Sequence, residues 1–182
     1  MLLDETEIKK TAILFFDLLN GYADAPEGEV KARKKLMVNN AVRLMKAGRE
    51  SKIPIFFAKG NHRADQATSA LILTDTNNSL NPWPGGKVTK GKMHVIGGDP
   101  SSEVIPELDP QPDDYYIPKY RWSAFYQTSL DLSLRARGID TVIISGGSTD
   151  VGVASTVFSG RDMDYNIIVA SDACATSHDQ RA

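Results

Sequence analysis

Six consecutive residues, Thr11-Ala12-Ile13-Leu14-Phe15-Phe16, form an apolar run with no polar alternation, and the run stops at a carboxylate, Asp17. A strand that puts large apolar side chains on both of its faces must be covered on both faces. Leaving either side open would hold Ile, Leu and Phe side chains in water, at a cost of about 1.5–3 kcal/mol each. The run therefore calls for an interior strand of a sheet with a helical layer above and another below.

The rest of the chain supplies matching parts. Residues 29–50 have helical spacing, with Met37, Ala41, Leu44, Met45 and Gly48 on one face and lysines and arginines on the other. A second strand is expected over Ile53 to Ala58, with Pro54 at its start, where a missing N–H does least harm. Tyr115 to Lys119 reads as a third strand. Thr128-Ser129-Leu130-Asp131 resembles a capping box with Asp for the usual Glu or Gln, opening a helix that runs to Arg137 and ends at Gly138. Thr141 to Ser145, Val151 to Arg161 and Asn166 to Ala170 follow as strand, helix and strand. The alternation predicts an α/β fold, a three-layer, doubly wound and mostly parallel sheet, with residues 1–182 as a single domain. Few residues follow the last strand, too few for a final covering helix: either the tail is short or the chain is shorter than the natural product. Residues 74–100, rich in Asn, Pro and Gly, read as a long loop with at most a short strand near Met93 to Ile96. That loop, with Trp83 between prolines, is either a lid or subunit contact or a plain surface excursion.

Bulk properties exclude several function classes. The net charge is −2 and no basic block exceeds a helix face, which argues against nucleic acid as the main partner. No apolar run approaches the roughly 20 residues of a membrane span, and the acidic start, Asp4 to Glu7, lacks signal-peptide form. A single cysteine, Cys174, allows no intrachain disulfide. A cytoplasmic location is the simplest expectation.

Ligands of open α/β sheets bind at the carboxyl ends of the strands. Three residues are expected there: Asp17 after the first strand, Lys119 at the end of the third, and Gly152 after the fourth. Each has a plain alternative. An Asp after a strand is often a turn residue, and a Lys at a strand end often buries its stem and solvates its head. Together, a carboxylate and an ammonium in one cleft tune each other's pKa and can serve as acid, base or clamp. Gly152 sits where a strand and a tight turn lead into a helix start. Unpaired backbone N–H groups at such a place suit a nucleophile and an oxyanion, yet this position has no side chain.

These residues resemble the isochorismatase-like hydrolases, the superfamily that includes nicotinamidases and N-carbamoylsarcosine amidases. The resemblance is carried by Ala12 to Asp17, by Lys119-Tyr120-Arg121-Trp122-Ser123-Ala124-Phe125 with Thr128 and Leu130, by Leu134 to Ile139, by Gly146 to Val153, and by Ser171-Asp172-Ala173. It implies an isochorismatase-like, Rossmann-type sheet and a catalytic set of Asp, Lys and Cys, in which Asp17 and Lys119 match and Gly152 stands at the Cys position. Cys174 does not map there and is expected to be a small packed residue after the fifth strand. In the amidase branch a thiolate attacks a carbonyl while backbone N–H groups near 148–152 hold the oxyanion. In isochorismatases a Gly replaces the Cys, and the Asp acts as an acid on a vinyl ether. The Gly152 position fits the second branch, while Ser148-Thr149-Asp150-Val151 fits the first. Three readings stay open: an isochorismatase-type hydrolase, an amidohydrolase that has lost its Cys, and a binding protein without turnover.

The resemblance also bears on metal and substrate. Nicotinamidases carry Asp and His ligands after the second strand. Here Lys59 to Asp65 offers His62 and Asp65 alone, fewer than the three ligands a protein-held zinc generally needs, so neither metal nor cofactor is expected. Candidate substrate contacts are His62, Arg63, Arg121, Ser148, Thr149 and Val151, with Arg63 and Arg121 suited to a carboxylate. Trp122 and Phe125 are read as packing residues. The implied partners are a small-molecule substrate and further copies of the same chain.

Overall fold

The computed structural model describes residues 5–23, 28–68 and 94–176. Most of the 74–100 loop, including Trp83, lies outside them, as do His178 and the tail. A short helix α1 (Glu5–Lys9) leads into β1 (Thr11–Phe16). Then come α2 (Asn20–Ala23), α3 (Glu29–Glu50), β2 (Ile55–Gly60), β3 (Tyr115–Lys119), α4 (Leu130–Arg135), β4 (Thr141–Gly147), α5 (Ala154–Asp162) and β5 (Asn166–Ala175). The five strands form one sheet in the order β3-β2-β1-β4-β5, and every pairing is parallel.

β1 is the central strand and all six of its residues are buried. Its side chains alternate between two cores. Ile13 and Phe15 join Met37, Ala41 and Met45 of α3 on one face, with Ile55, Phe57 and Leu108. Ala12, Leu14 and Phe16 face the other way, into a core with Leu130 and Leu134 of α4, Val153, Tyr165 and Phe125. The apolar run at residues 11–16 is thus sandwiched by two helical layers.

Several local expectations shift. The second strand starts and ends two residues later than its apolar run suggests, at Ile55–Gly60, because Pro54 contributes its carbonyl to Ile13 N before regular pairing begins. The capping box does not form: Thr128 Oγ1 accepts from Leu130 N at 3.2 Å, while Asp131 binds Arg135 and the Tyr165 hydroxyl instead. The helix after it is shorter than expected and stops before Gly138, whose φ of +68° a side chain would strain. The last strand runs five residues further, to Ala175. An irregularity between Ile144 and Gly146 lets pairing resume at Gly146–Cys174, and the Ser145 hydroxyl donates to Ala173 O at 2.8 Å. Cys174 therefore lies inside β5 rather than after it, packed against the core, and burial pushes its thiol pKa up. Phe125 is buried and stacks on Tyr165 at 5.4 Å, as a packing residue should, but Trp122 is exposed.

Candidate active site

The strand order puts the ends of β3, β2, β1 and β4 side by side along the carboxyl edge of the sheet. Phe16 is in register with Gly146, and Gly60 with Lys119. Directly after Phe16 the backbone turns sharply. Asp17 has φ of +50°, a conformation that Asp tolerates better than most residues, and its N–H donates to Ala58 O at 3.0 Å. The turn brings its carboxylate over the strand ends. Oδ1 accepts from Gly60 N at 3.1 Å and Oδ2 from Lys119 Nζ at 2.7 Å. The side chains of Asp17 and Lys119 are only 11% and 8% exposed, so two residues 102 positions apart meet as a nearly dry ion pair.

Burial is the largest influence on Asp17 and raises its pKa above the ordinary carboxylate range; the Lys119 charge and the two hydrogen bonds pull it back only in part. The Lys119 ammonium also lies 4.3 Å from the centre of the Phe16 ring. Phe16 itself continues toward Gly152. Gly152 is buried in a wide π-helical turn (Thr149–Val153) that leads into α5, and a Cβ built on it would fall on the Phe16 ring, 2.5 Å from Cζ. The ring thus occupies the room where a side chain at 152 would begin.

The other expected contacts are dispersed. His62 is half-buried beside the pair, and the charges of Lys119, Arg121 and Asp17 all register on it. Burial lowers its pKa, and its Nδ1 is buried with no hydrogen-bond partner among the described residues. Arg63 turns away: it is exposed and grips Asp65, with Nη2 to Oδ2 at 2.6 Å. Arg121 is exposed too, and its Nη1 donates to the carbonyls of Thr68 and Tyr120. Ser148 is partly buried, and its carbonyl takes the N–H of Val151 at 3.3 Å and of Val153 at 3.1 Å. The Val151 N–H is therefore engaged within the turn. Thr149 and Asp150 sit at its start, where Asp150 Oδ1 accepts from Thr176 Oγ1 at 2.9 Å. Among the described residues no group of three or more His, Cys, Asp or Glu is placed to hold a metal ion.

Three neighbours of the pair were not singled out by sequence reading. Phe16 reads there as core. Tyr22, in α2, is buried enough that its hydroxyl pKa rises, and the Asp17 charge adds to the rise. Tyr120 accepts from Asn61 Nδ2 at 3.0 Å and meets His62 edge-on at 6.3 Å between ring centres. For Tyr22 a sequence signal existed: an aromatic a few residues beyond the strand-end Asp. For Tyr120 the signal was adjacency to Lys119.

Known proteins carry the same arrangement of chain. The protein-family model of the isochorismatase domain matches residues 11–182. An uncharacterized isochorismatase family protein of Escherichia coli, YecD, is 31% identical over 181 residues, covering 95% of this chain and 84% of the relative. The ureidoacrylate amidohydrolase RutB of Acinetobacter baylyi is 30% identical, covering 91% of this chain and 71% of the relative. Among solved structures, the N-carbamoylsarcosine amidase of Thermoplasma acidophilum superposes with a TM-score of 0.71 at 29% identity, covering 93% of this chain and 86% of the amidase. No described helix is long and apolar enough to cross a membrane. With the matched domain spanning nearly all of its residues, the chain belongs to the isochorismatase family of hydrolases.

Proposed function

We propose that the chain hydrolyses a small molecule by acid–base chemistry at Asp17, with no covalent enzyme intermediate, and that the substrate carries a vinyl ether of the isochorismate type. The observation that carries this reading is the pairing of a buried Asp17–Lys119 bridge with a Gly152 whose side-chain space is filled by the Phe16 ring. A raised carboxyl pKa suits a group that must deliver a proton. Protonated Asp17 gives its proton to the terminal carbon of the alkene, whose π electrons form the new C–H bond. The adjacent ether carbon becomes cationic, and water adds to it while losing a proton to the Asp17 carboxylate. The resulting hemiketal collapses with cleavage of its C–O bond, releasing pyruvate and the ring alcohol. Lys119 stabilises the carboxylate that exists between the two proton transfers.

His62 and the Ser148–Val151 turn are the substrate contacts that this reading keeps, and Arg121 is kept as a charge at the rim. Arg63 has little part in it while bound to Asp65. A cytoplasmic setting and a homo-oligomer belong to the same proposal; the lone Cys174 supports the first and the family resemblance the second. Incubation with isochorismate should release pyruvate, and Asp17→Asn should stop it. Absence of release at high enzyme concentration would reject the reading.

A second reading is favoured by the names of two relatives, a ureidoacrylate amidohydrolase and an N-carbamoylsarcosine amidase. The chain would then be an amidohydrolase scaffold in which Gly152 replaces the nucleophile. It predicts ammonia release from small ureides once Gly152→Cys is made together with Phe16→Leu, which clears the ring from the space the thiol needs. Tight binding of a small carboxylate or ureide with no product in either assay would mark a binding protein instead.

A further inference from the structure

We infer that Phe16 and Gly152 are a matched pair, in which the ring at 16 decides that position 152 can hold no nucleophile. Three observations converge on the ring. Phe16 is 1% exposed and belongs to the core that also contains Val153, the residue next to Gly152. On one side the Lys119 ammonium stands 4.3 Å from the ring centre. On another, a Cβ at 152 would lie 2.5 Å from Cζ and 3.3 Å from Cδ1.

The backbone of Phe16 cannot retreat either. It is paired with Gly146, whose φ is +131° and where a Cβ would strike the Phe16 carbonyl oxygen, with the carbonyl carbon at 2.8 Å and the amide nitrogen at 2.9 Å. β4 is pressed onto the Phe16 backbone, Lys119 flanks the ring, and the Gly152 turn closes over it. Space at 152 therefore requires that the ring shrink or swing into the bridge that holds Asp17. Phe16 acts through this geometry: it keeps the floor of the site free of a thiol or hydroxyl and gives the Lys119 ammonium an aromatic face to rest on. It is a positioning and specificity-determining residue rather than a catalytic one. A single replacement of Gly152 by Cys would not yield an amidase; the side chain at 16 must change with it.

This inference rests on the nucleophile-free reading of the site, but its test needs no substrate. The first arm is a double-mutant cycle on Gly152→Ala and Phe16→Leu, read as thermal unfolding midpoints. In a helical turn, Gly→Ala by itself should raise the midpoint. Here Gly152→Ala should lower it by about 3–10 °C, as overpacking does in a domain of this size. In the Phe16→Leu background the same change should be neutral or stabilising. The second arm is the alkylation of Gly152→Cys by iodoacetamide across pH, against the parent's Cys174 as background. The new thiol should react at least about tenfold faster when Phe16→Leu accompanies it, since a thiol wedged into apolar packing is inert. A Gly152→Cys protein that unfolds alone but folds with Phe16→Leu supports the pair equally. Additive midpoints in the cycle, or equal alkylation rates in the two backgrounds, would overturn it. Failure to release pyruvate would sink the vinyl-ether reading and leave both arms standing.

Discussion

Two buried carboxylates, one at each end of the same parallel sheet, have opposite characters. Asp114 sits just before β3, at the amino end. Its carboxylate takes both arms of the Arg49 guanidinium, with Nη2 to Oδ2 at 2.6 Å, and the Gln111 N–H at 2.8 Å. The planar fork of Arg matches a carboxylate with two parallel bonds. Asp17, at the carboxyl end, receives one ammonium proton and one backbone N–H, from a conformation at positive φ, with its pKa raised. A carboxylate offers about four acceptor sites, and Asp114 uses its sites to tie α3 to the loop before β3. Asp17 is paired to a single ammonium, a point charge without the fixed fork of a guanidinium. A carboxylate held by three hydrogen bonds, two of them from one guanidinium, fixes the fold; one held by two, with its cation buried beside it, suits proton exchange.

The largest effect should fall on turnover. On the proposed mechanism Asp17→Asn removes the proton donor and should lower kcat/KM for pyruvate release by about 10²–10⁴, while Asp114→Asn should leave turnover unchanged in the folded fraction. The reverse holds for stability. Asp114→Ala breaks a bidentate pair and leaves Arg49 and Gln111 without their acceptor, a loss of about 2–4 kcal/mol in urea unfolding. If Asp114→Ala cost activity without stability, the contrast between the two ends would collapse.

A subtler test uses pH. Activity that needs the protonated carboxyl is present below the raised pKa of Asp17 and lost as pH rises through it. Lys119 lowers that pKa, so Lys119→Met should carry the alkaline limb of the rate profile to higher pH while reducing the maximum rate. The linkage to stability has the same sign. A folded pKa above 3.8 means the folded state holds its proton longer, so the Asp17 contribution declines as pH rises from 3.8 to the folded value. Asp17→Asn should flatten that slope in denaturation measured across pH. The smallest effect belongs to His62. Its folded pKa lies below 6.5, so it favours the unfolded state as pH falls through that value toward the folded one. His62→Asn should remove a small part of the acid-side loss of stability, and an unchanged profile would place His62 in a more solvated setting.

Much of the architecture was legible in the chain. The run at residues 11–16, the helix at 29–50 and the strand at 115–119 coincide with β1, α3 and β3 because each is set by local periodicity and by burial on one or both faces. The Asp17–Lys119 meeting was legible too, since strand ends converge in a parallel sheet. The misses share a cause. The length of β5 depends on an irregularity in its pairing with β4, where residues 170–173 stand opposite Ser145 alone, and the fate of Asp131 on Tyr165, thirty-four residues away. Arg63 was expected at the cleft on its charge; its pairing with Asp65, two residues on, was not foreseen. Trp122 was expected inside on its hydrophobicity, and nothing local says that its neighbours Ser123 to Phe125 take the buried places.

Sequence by itself determined that this would be a covered parallel sheet, with a carboxylate and an ammonium at its carboxyl edge and a glycine in the turn after β4. Those follow from hydrophobic period, strand ends and the order of elements, all of which act over a few residues. Tertiary structure alone decided what fills the empty place at Gly152. Phe16 looks like any core residue along the chain, and only the packing of β1 beneath the turn into α5 puts its ring between Lys119 and Gly152. Occupancy of space is set by residues distant in sequence, and no local pattern encodes it.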